Sequence, residues 1–262
     1  MKIFLFLFLV ILASTFTLNA NTLTIGATAV PHAEILEFAK PLLKEKGINL
    51  KIIVFQDYVL PNKALASKDL DANYFQHIVY LEAQNKEHKY NFISAGVVHI
   101  EPLGIYSKKY KKLEDIKSGA TIIFSNSVAD TGRAISLLQK AGLVILKPGV
   151  DPIRTTLEDI ATNLKQSKIR NDVSPELLPR LYSSNEADLL IINTNYALEA
   201  GINPLKDALI LEGSSSPYVN VVAIREKDAG KSNIRILMEV LQSPEVVRFI
   251  KDKYQGAIVP TK

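Results

Sequence analysis

The 262-residue chain contains no cysteine. No disulfide can form, so burial of side chains alone has to hold the fold. Neither a thiol nucleophile nor a thiolate metal ligand is available. The chain also offers no residue for the thioether-linked lipid of a bacterial lipoprotein. Concentrated charge is missing too: 31 Lys+Arg stand against 27 Asp+Glu, a formal +4, with the two signs interspersed. A nucleic-acid reader carries a basic face, and none is visible, so no nucleic acid is expected as a partner. Several catalytic strings are absent as well. There is no GxSxG elbow, no GxxxxGK[ST], no GxGxxG and no HExxH.

Long apolar runs are scarce. The one of note opens the chain, MKIFLFLFLVILASTFTLNA, with Lys2 ahead of an apolar stretch from Ile3 to Ala13. That stretch falls short of the roughly 20 residues a membrane span needs. It has the form of a secretory signal peptide over residues 1–20, with cleavage expected after Ala20 and export to the periplasm.

What remains is an alternation of strand-like and helix-like segments. TLTIGATA (22–29), LKIIVF (50–55), LDANYF (70–75), FISAGVVHIE (92–101), GIYS (104–107), ATIIFS (120–125), ADLLIINT (187–194) and VNVVAIRE (219–226) read as strands. Helical patterns follow Pro31 up to Gly47 and occupy 61–69, the VYLEAQNKEHK segment, KKLEDIKSG, 132–143, YALEAG, 232–242 and 244–253. Such alternation predicts parallel α/β sheets with helices on their faces. The pattern restarts after Pro102, and a late strand near 219–225 can return to the first half. The expected architecture is α/β and two-lobed, with a ligand cleft between lobe I (21–106 and 218–262) and lobe II (107–217). Polar clusters recur just past strand ends (VPH, FQDY, YFQH, VHIEP, SNSVADTGR, INTNY), where open α/β sheets bind ligands.

Three chemistries suit those clusters. A zinc receptor could use His32, His77 and His99, with Glu34 or Glu101 nearby. A periplasmic enzyme could pair Asp71 with Glu101, although nothing forces them together. A receptor for a zwitterion needs a cation for a carboxylate, oxygens for an ammonium and a slot for a side chain. Arg133, at the start of a helix, suits the carboxylate. Asn193, Asn195, Asn220 and Asp130 supply polar groups, and Tyr58, Tyr74, Phe75, His77 and Tyr196 can line an aromatic slot for soft sulfur. Strand alternation within LDANYFQH predicts Asn73, Phe75 and His77 on one face, Tyr74 and Gln76 on the other.

The strings GATAVPHAEIL, FQDYVLPNKAL, LDANYFQHIVYL, VHIEPLGIYSKKY, GRAISLLQKAGL, IINTNYALEAG and SPYVNVVAIRE together resemble the NlpA/MetQ family, from about Leu23 to the terminal AIVP. These are methionine-binding solute receptors of bacterial ABC importers. The resemblance implies a type II periplasmic-binding-protein fold, no catalysis and no cofactor. The implied partners are L-methionine or a relative of it and an inner-membrane permease. It assigns the carboxylate to Arg133 with Asn193, Asn195 and Asn220, and the thioether to Tyr58, Tyr74, Phe75 and His77. Three departures stand out. Asn21 occupies the place of the acylated cysteine after LNA (18–20), which implies an unanchored protein. Ala129-Asp130 replaces a Thr-Asn pair, bringing a charge that favours an ammonium and repels a carboxylate. Val30 replaces a common glycine, adding bulk near the cleft. N-terminal sequencing of exported protein is expected to begin at Asn21; an intact Met1 on exported protein would contradict the leader.

Overall fold

The computed structural model describes residues 21–213 and 216–261; the leader expectation therefore lies outside the described residues. Among the described residues, thirteen strands run in chain order: β1 (Asn21–Thr28), β2 (Ile48–Phe55), β3 (Ala72–His77), β4 (Phe92–Ile100), β5 (Gly104–Tyr106), β6 (Thr121–Ser125), β7 (Val144–Leu146), β8 (Ile160–Asn163), β9 (Lys168–Val173), β10 (Leu189–Ile192), β11 (Ala208–Leu211), β12 (Val219–Arg225) and β13 (Val259–Pro260). The helices are α1 (Glu34–Glu45), α2 (Leu60–Ala66), α3 (Ile78–His88), α4 (Val128–Lys140), α5 (Leu178–Ser183), α6 (Thr194–Glu199), α7 (Pro204–Asp207), α8 (Ser232–Leu241) and α9 (Pro244–Tyr254).

Two sheets organise the chain. One has the order β13-β4-β12-β3-β1-β2 and the other β11-β5-β10-β6-β9, with β7 and β8 paired apart. The fold is two-lobed. The chain crosses between the sheets twice, after β4 and between β11 and β12. The sheets are mixed rather than parallel. β12 enters antiparallel between β3 and β4, and β5 runs antiparallel to β10. Strands covered on both faces are apolar whichever way they run, so composition does not reveal direction. Gly104–Tyr106 is hydrogen-bonded into the second sheet.

Each sheet is covered on both faces. Leu23, Ile25 and Leu50 meet Ile35, Leu36, Leu43, Leu237 and Ile250 in one core, while Leu65, Leu70, Leu81 and Val221 fill the opposite face. In the second lobe Ile122, Phe124 and Ile191 pack on Ile135 and Leu138 of α4, and Ile123, Leu190 and Ile192 pack on Leu178 and Ala197. Local chemistry fixes the helix ends. Ser243 Oγ accepts the Val246 amide at 3.4 Å with Pro244 in the first turn, a strong N-terminal signature. Gly47 closes α1 at φ +80°, where a side chain would be strained. The segment KKLEDIKSG forms only a short 3-10 turn, Leu113–Asp115; Ile116 is its buried anchor and no apolar stripe supports a longer helix. Residues 144–186, which carry no strong period, hold β7, β8, the edge strand β9 and α5.

LDANYFQH departs from simple alternation. Val221 faces Gln76 and Val222 faces Tyr74, so Phe75 is an extra residue without a partner on β12. This bulge rotates the rest of the strand. Asn73 and Gln76 therefore meet on one side, where both bond the buried Asn62 of α2. Asn73 Nδ2 donates to Asn62 Oδ1 (2.8 Å), Gln76 Nε2 to Asn62 Oδ1 and Asn73 Oδ1 (2.9 Å each), and Asn62 Nδ2 to Gln76 Oε1 (3.0 Å).

In α4, Gly132 packs against the backbone of the following loop. An alanine Cβ there would lie 2.5 Å from the Pro152 carbonyl oxygen and 2.7 Å from that of Ile153. Overpacking of this kind costs about 1–3 kcal/mol, so Gly132→Ala is expected to lower the melting temperature by several degrees. Unchanged melting in scanning calorimetry would show that the 152–153 loop yields freely.

Candidate functional site

Strand ends converge on one cleft between the sheets. The cleft is tight, with a free cavity of about 20 Å³ among its lining side chains. The first lobe contributes Tyr58, Phe75, Gln76, His77, Tyr80 and Glu101, with Asn220 from the start of β12. The second contributes Asp130 and Arg133 from α4, with Asn193, Thr194 and Asn195 from the β10–α6 junction. The antiparallel entry of β12 sets Asn220 in register between His77 and His99.

Groups from the two lobes already touch across the cleft. Tyr58 donates its hydroxyl hydrogen to Asn195 Oδ1 at 2.6 Å, and His77 Nε2 lies 3.3 Å from Asp130 Oδ1. Tyr58 also packs against Phe75 and Tyr196, with ring centroids 6.0 and 4.9 Å away. The other ring nitrogen of His77, Nδ1, accepts the Tyr80 amide at 3.0 Å and caps α3.

Arg133 is buried and held on three sides. Its Nε and Nη2 donate to Glu212 Oε2 at 2.9 and 2.5 Å, and Nη2 also donates to the Glu101 carbonyl at 2.5 Å. The Tyr218 ring lies 4.6 Å from its central carbon. Burial alone would lower its pKa; the charge and hydrogen bonds of Glu212, then Asp130, reverse that and raise it, so the guanidinium stays charged. Burial would likewise raise the Asp130 carboxyl, but the hydrogen bond and charge of His77, then Arg133 and Asn193, hold it below the usual range.

Two buried amide atoms in this wall have no partner among the described residues: Asn193 Oδ1, an acceptor, and Asn195 Nδ2, a donor. Their other ends are occupied, by Asp130 Oδ2 (3.2 Å) and by Tyr58. Buried polar atoms are rarely left unmatched, so an opposed acceptor and donor facing one cavity point to a ligand that carries both complements.

Beneath this wall lies a second network. His32 Nδ1 meets Thr28 Oγ1 (2.8 Å), and its Nε2 meets Asn220 Oδ1 (3.0 Å) and Glu101 Oε1 (3.2 Å). His99 lies between Tyr74 Oη (2.5 Å) and Glu101 Oε1 (2.8 Å). Ligand atoms of His32, His99 and Glu101 fall within 4.8 Å of one another. Every imidazole nitrogen of the pair nevertheless has a protein partner. His77, the third member of the zinc reading, points instead at Asp130. Burial pushes His32 down to about 4, with Glu101 opposing, and His99 down to about 3. Both are therefore neutral at physiological pH. Glu101 is pushed up by burial, against the pull of His32, Arg133 and the Asn195 amide.

Several expected positions differ. Tyr74 does not line the cleft; it is fully buried in the first lobe's core, because strand alternation puts it on the same face as Ala72, with Val222 opposite. Val30 packs against the same core rather than narrowing the cleft. Asp71 caps the far end of the sheet through the Thr24 amide (2.8 Å), so it forms no pair with Glu101. Gln76, Tyr80, Thr194 and the Arg133 partners Glu212 and Tyr218 were not legible as site residues. Of these only Tyr80, three residues after a capping His77, carried a local signal.

The profile of the NlpA lipoprotein family matches residues 23–262. The chain belongs to that family. A relative in the NlpA lipoprotein family, the methionine-binding lipoprotein MetQ of Bacillus subtilis (strain 168), is 48% identical over 240 residues, 91% of this chain and 87% of the relative. The structure of a nutrient binding protein from Burkholderia cenocepacia bound to methionine superposes with a TM-score of 0.87 at 42% identity, covering 92% of this chain and all of that one. An ABC transporter periplasmic substrate-binding protein from Coxiella burnetii gives 0.86 at 40% identity, covering 91% and 100%.

Neutral buried histidines set an acid limit. A histidine whose pKa drops on folding takes up its proton more readily when unfolded, so stability is full above about 6.5 and declines as pH falls toward 4. Glu101, shifted upward, works the other way over the carboxylate range. Thermal melts are expected to show a fall in stability from pH 6.5 to 4 that is shallower in His99→Gln; equal slopes in the two proteins would contradict this.

Proposed function

We propose that this chain is an extracytoplasmic, non-catalytic receptor. It captures L-methionine, a close derivative or a methionine-containing dipeptide, and passes it to an ABC permease. The observation that carries this reading is the pair of orphaned buried amides, Asn193 Oδ1 and Asn195 Nδ2, beside Arg133 and Asp130. An α-amino acid supplies the ammonium and carboxylate that such a wall lacks. The thioether would lie against Tyr58, Phe75, Tyr80 and His77, where sulfur–ring contacts gain about 0.3–1.5 kcal/mol each. The methionine-bound relative and the relative named as an ABC transporter component support the ligand and the partner.

The lobes follow the sheets: β1–β4 with β12–β13 form one, and β5–β11 the other. They are joined by the crossings at 101–103 and 212–218. A ligand that bridges them favours the closed arrangement by its extra contacts there. With no cysteine in the chain, a thioether-linked lipid has no acceptor in it.

Calorimetry is expected to show one L-methionine bound per chain. Arg133→Ala should weaken binding by at least about thirtyfold, because the ligand carboxylate loses its cation and meets the Glu212 carboxylate left unpaired. Unchanged affinity in the variant would remove Arg133 from the site, and no heat with methionine would sink the reading.

A further inference from the structure

The two poles of the cleft are not equally charged. Three N–H groups of Arg133 are taken by the protein itself, through Nε and Nη2, and Glu212 already offsets its charge. Only Nη1 is left to meet a ligand anion, helped by the neutral Asn195 Nδ2. The opposite pole differs. Asp130 is buried in the wall, and its fixed neighbours are His77 and the neutral Asn193, whose Oδ1 has no partner. The contacts of Asp130 are the longer ones, 3.3 Å to His77 Nε2 and 3.2 Å to Asn193 Nδ2, against 2.5 and 2.9 Å between Arg133 and Glu212, although the charges of His77 and Arg133 also bear on it.

Resting on the reading above, we infer that this receptor selects its ligand chiefly by the ammonium group, and that Glu212 sets that preference by offsetting Arg133. An incoming carboxylate meets a guanidinium already paired, whereas an incoming ammonium meets a carboxylate and an open amide oxygen. Hydrogen bonds to a charged partner contribute about twice what neutral ones do, and an unmatched buried charge is costly. The substrate class is therefore a primary amine with a thioether tail, in which the carboxylate is the more dispensable pole.

The test uses two analogues that each lack one pole and add no bulk. Methylthiopropylamine is methionine without its carboxylate; methylthiobutanoate is methionine without its ammonium. Competition calorimetry against L-methionine on the intact mature chain is expected to rank the amine about tenfold or more above the acid. In Glu212→Gln the acid should tighten and the amine should not. Asp130→Asn should weaken the amine and leave the acid unchanged or tighter. These opposed shifts separate a charge effect from a structural one, which would weaken both analogues together. Equal affinities, a preference for the acid, or a parallel loss in Glu212→Gln overturns the inference while methionine binding stands. Loss of methionine binding in the unmodified protein overturns both.

Discussion

The buried guanidinium of Arg133 is the constraint around which the cleft is arranged. A charge inside protein is tolerable only when its hydrogen-bond capacity is met. Here that demand is met by the two segments that carry the chain between sheets: the Glu101 carbonyl on one crossing and the Glu212 carboxylate on the other. The crossings are also tied to each other, since the Glu212 amide donates to the Leu103 carbonyl at 2.8 Å and the Leu103 amide to Glu212 Oε2 at 3.3 Å. One side chain of the second lobe thus senses both connections to the first. Any motion of the lobes has to be compatible with keeping that cation satisfied.

Glu101 extends the same logic toward the other lobe. Its Oε1 meets His32 and His99, and its Oε2 accepts the Asn195 amide at 3.2 Å. The floor of the cleft is thus a continuous polar path from Tyr74 in one core to α6 beside the other. Such a path is stable only when complete, because each member's partner is another member. What resembles a metal site by composition is here a closed set of hydrogen bonds.

The fold was legible where physical patterns are strong. The apolar stretches of β1, β6, β10 and β12 and the capped or glycine-terminated helices α1, α4 and α9 are all visible in the residue pattern. Strand direction was not, because a strand covered on both faces has no directional signature. The site was legible where a residue's chemistry is unusual for its surroundings, as with Arg133, Asp130 and the asparagines past β10. It was illegible where geometry decides: a single bulged residue at Phe75 brought Gln76 round to the side of Asn73. Glu212 was hidden for another reason. It lies on a crossing far from Arg133 in sequence, and only the packing of α4 on the second sheet, which β11 joins, brings them together.

The amide cluster of Asn62, Asn73 and Gln76 carries a consequence for how this protein can vary. Each amide donates to or accepts from the others in a buried space. Replacing any one by an apolar residue strands two partners, while replacing it by an acid adds a repelled acceptor. The three positions are therefore coupled in energy: a change at one is tolerated best with a compensating change at the other two, and together they pin α2 to the bulged strand.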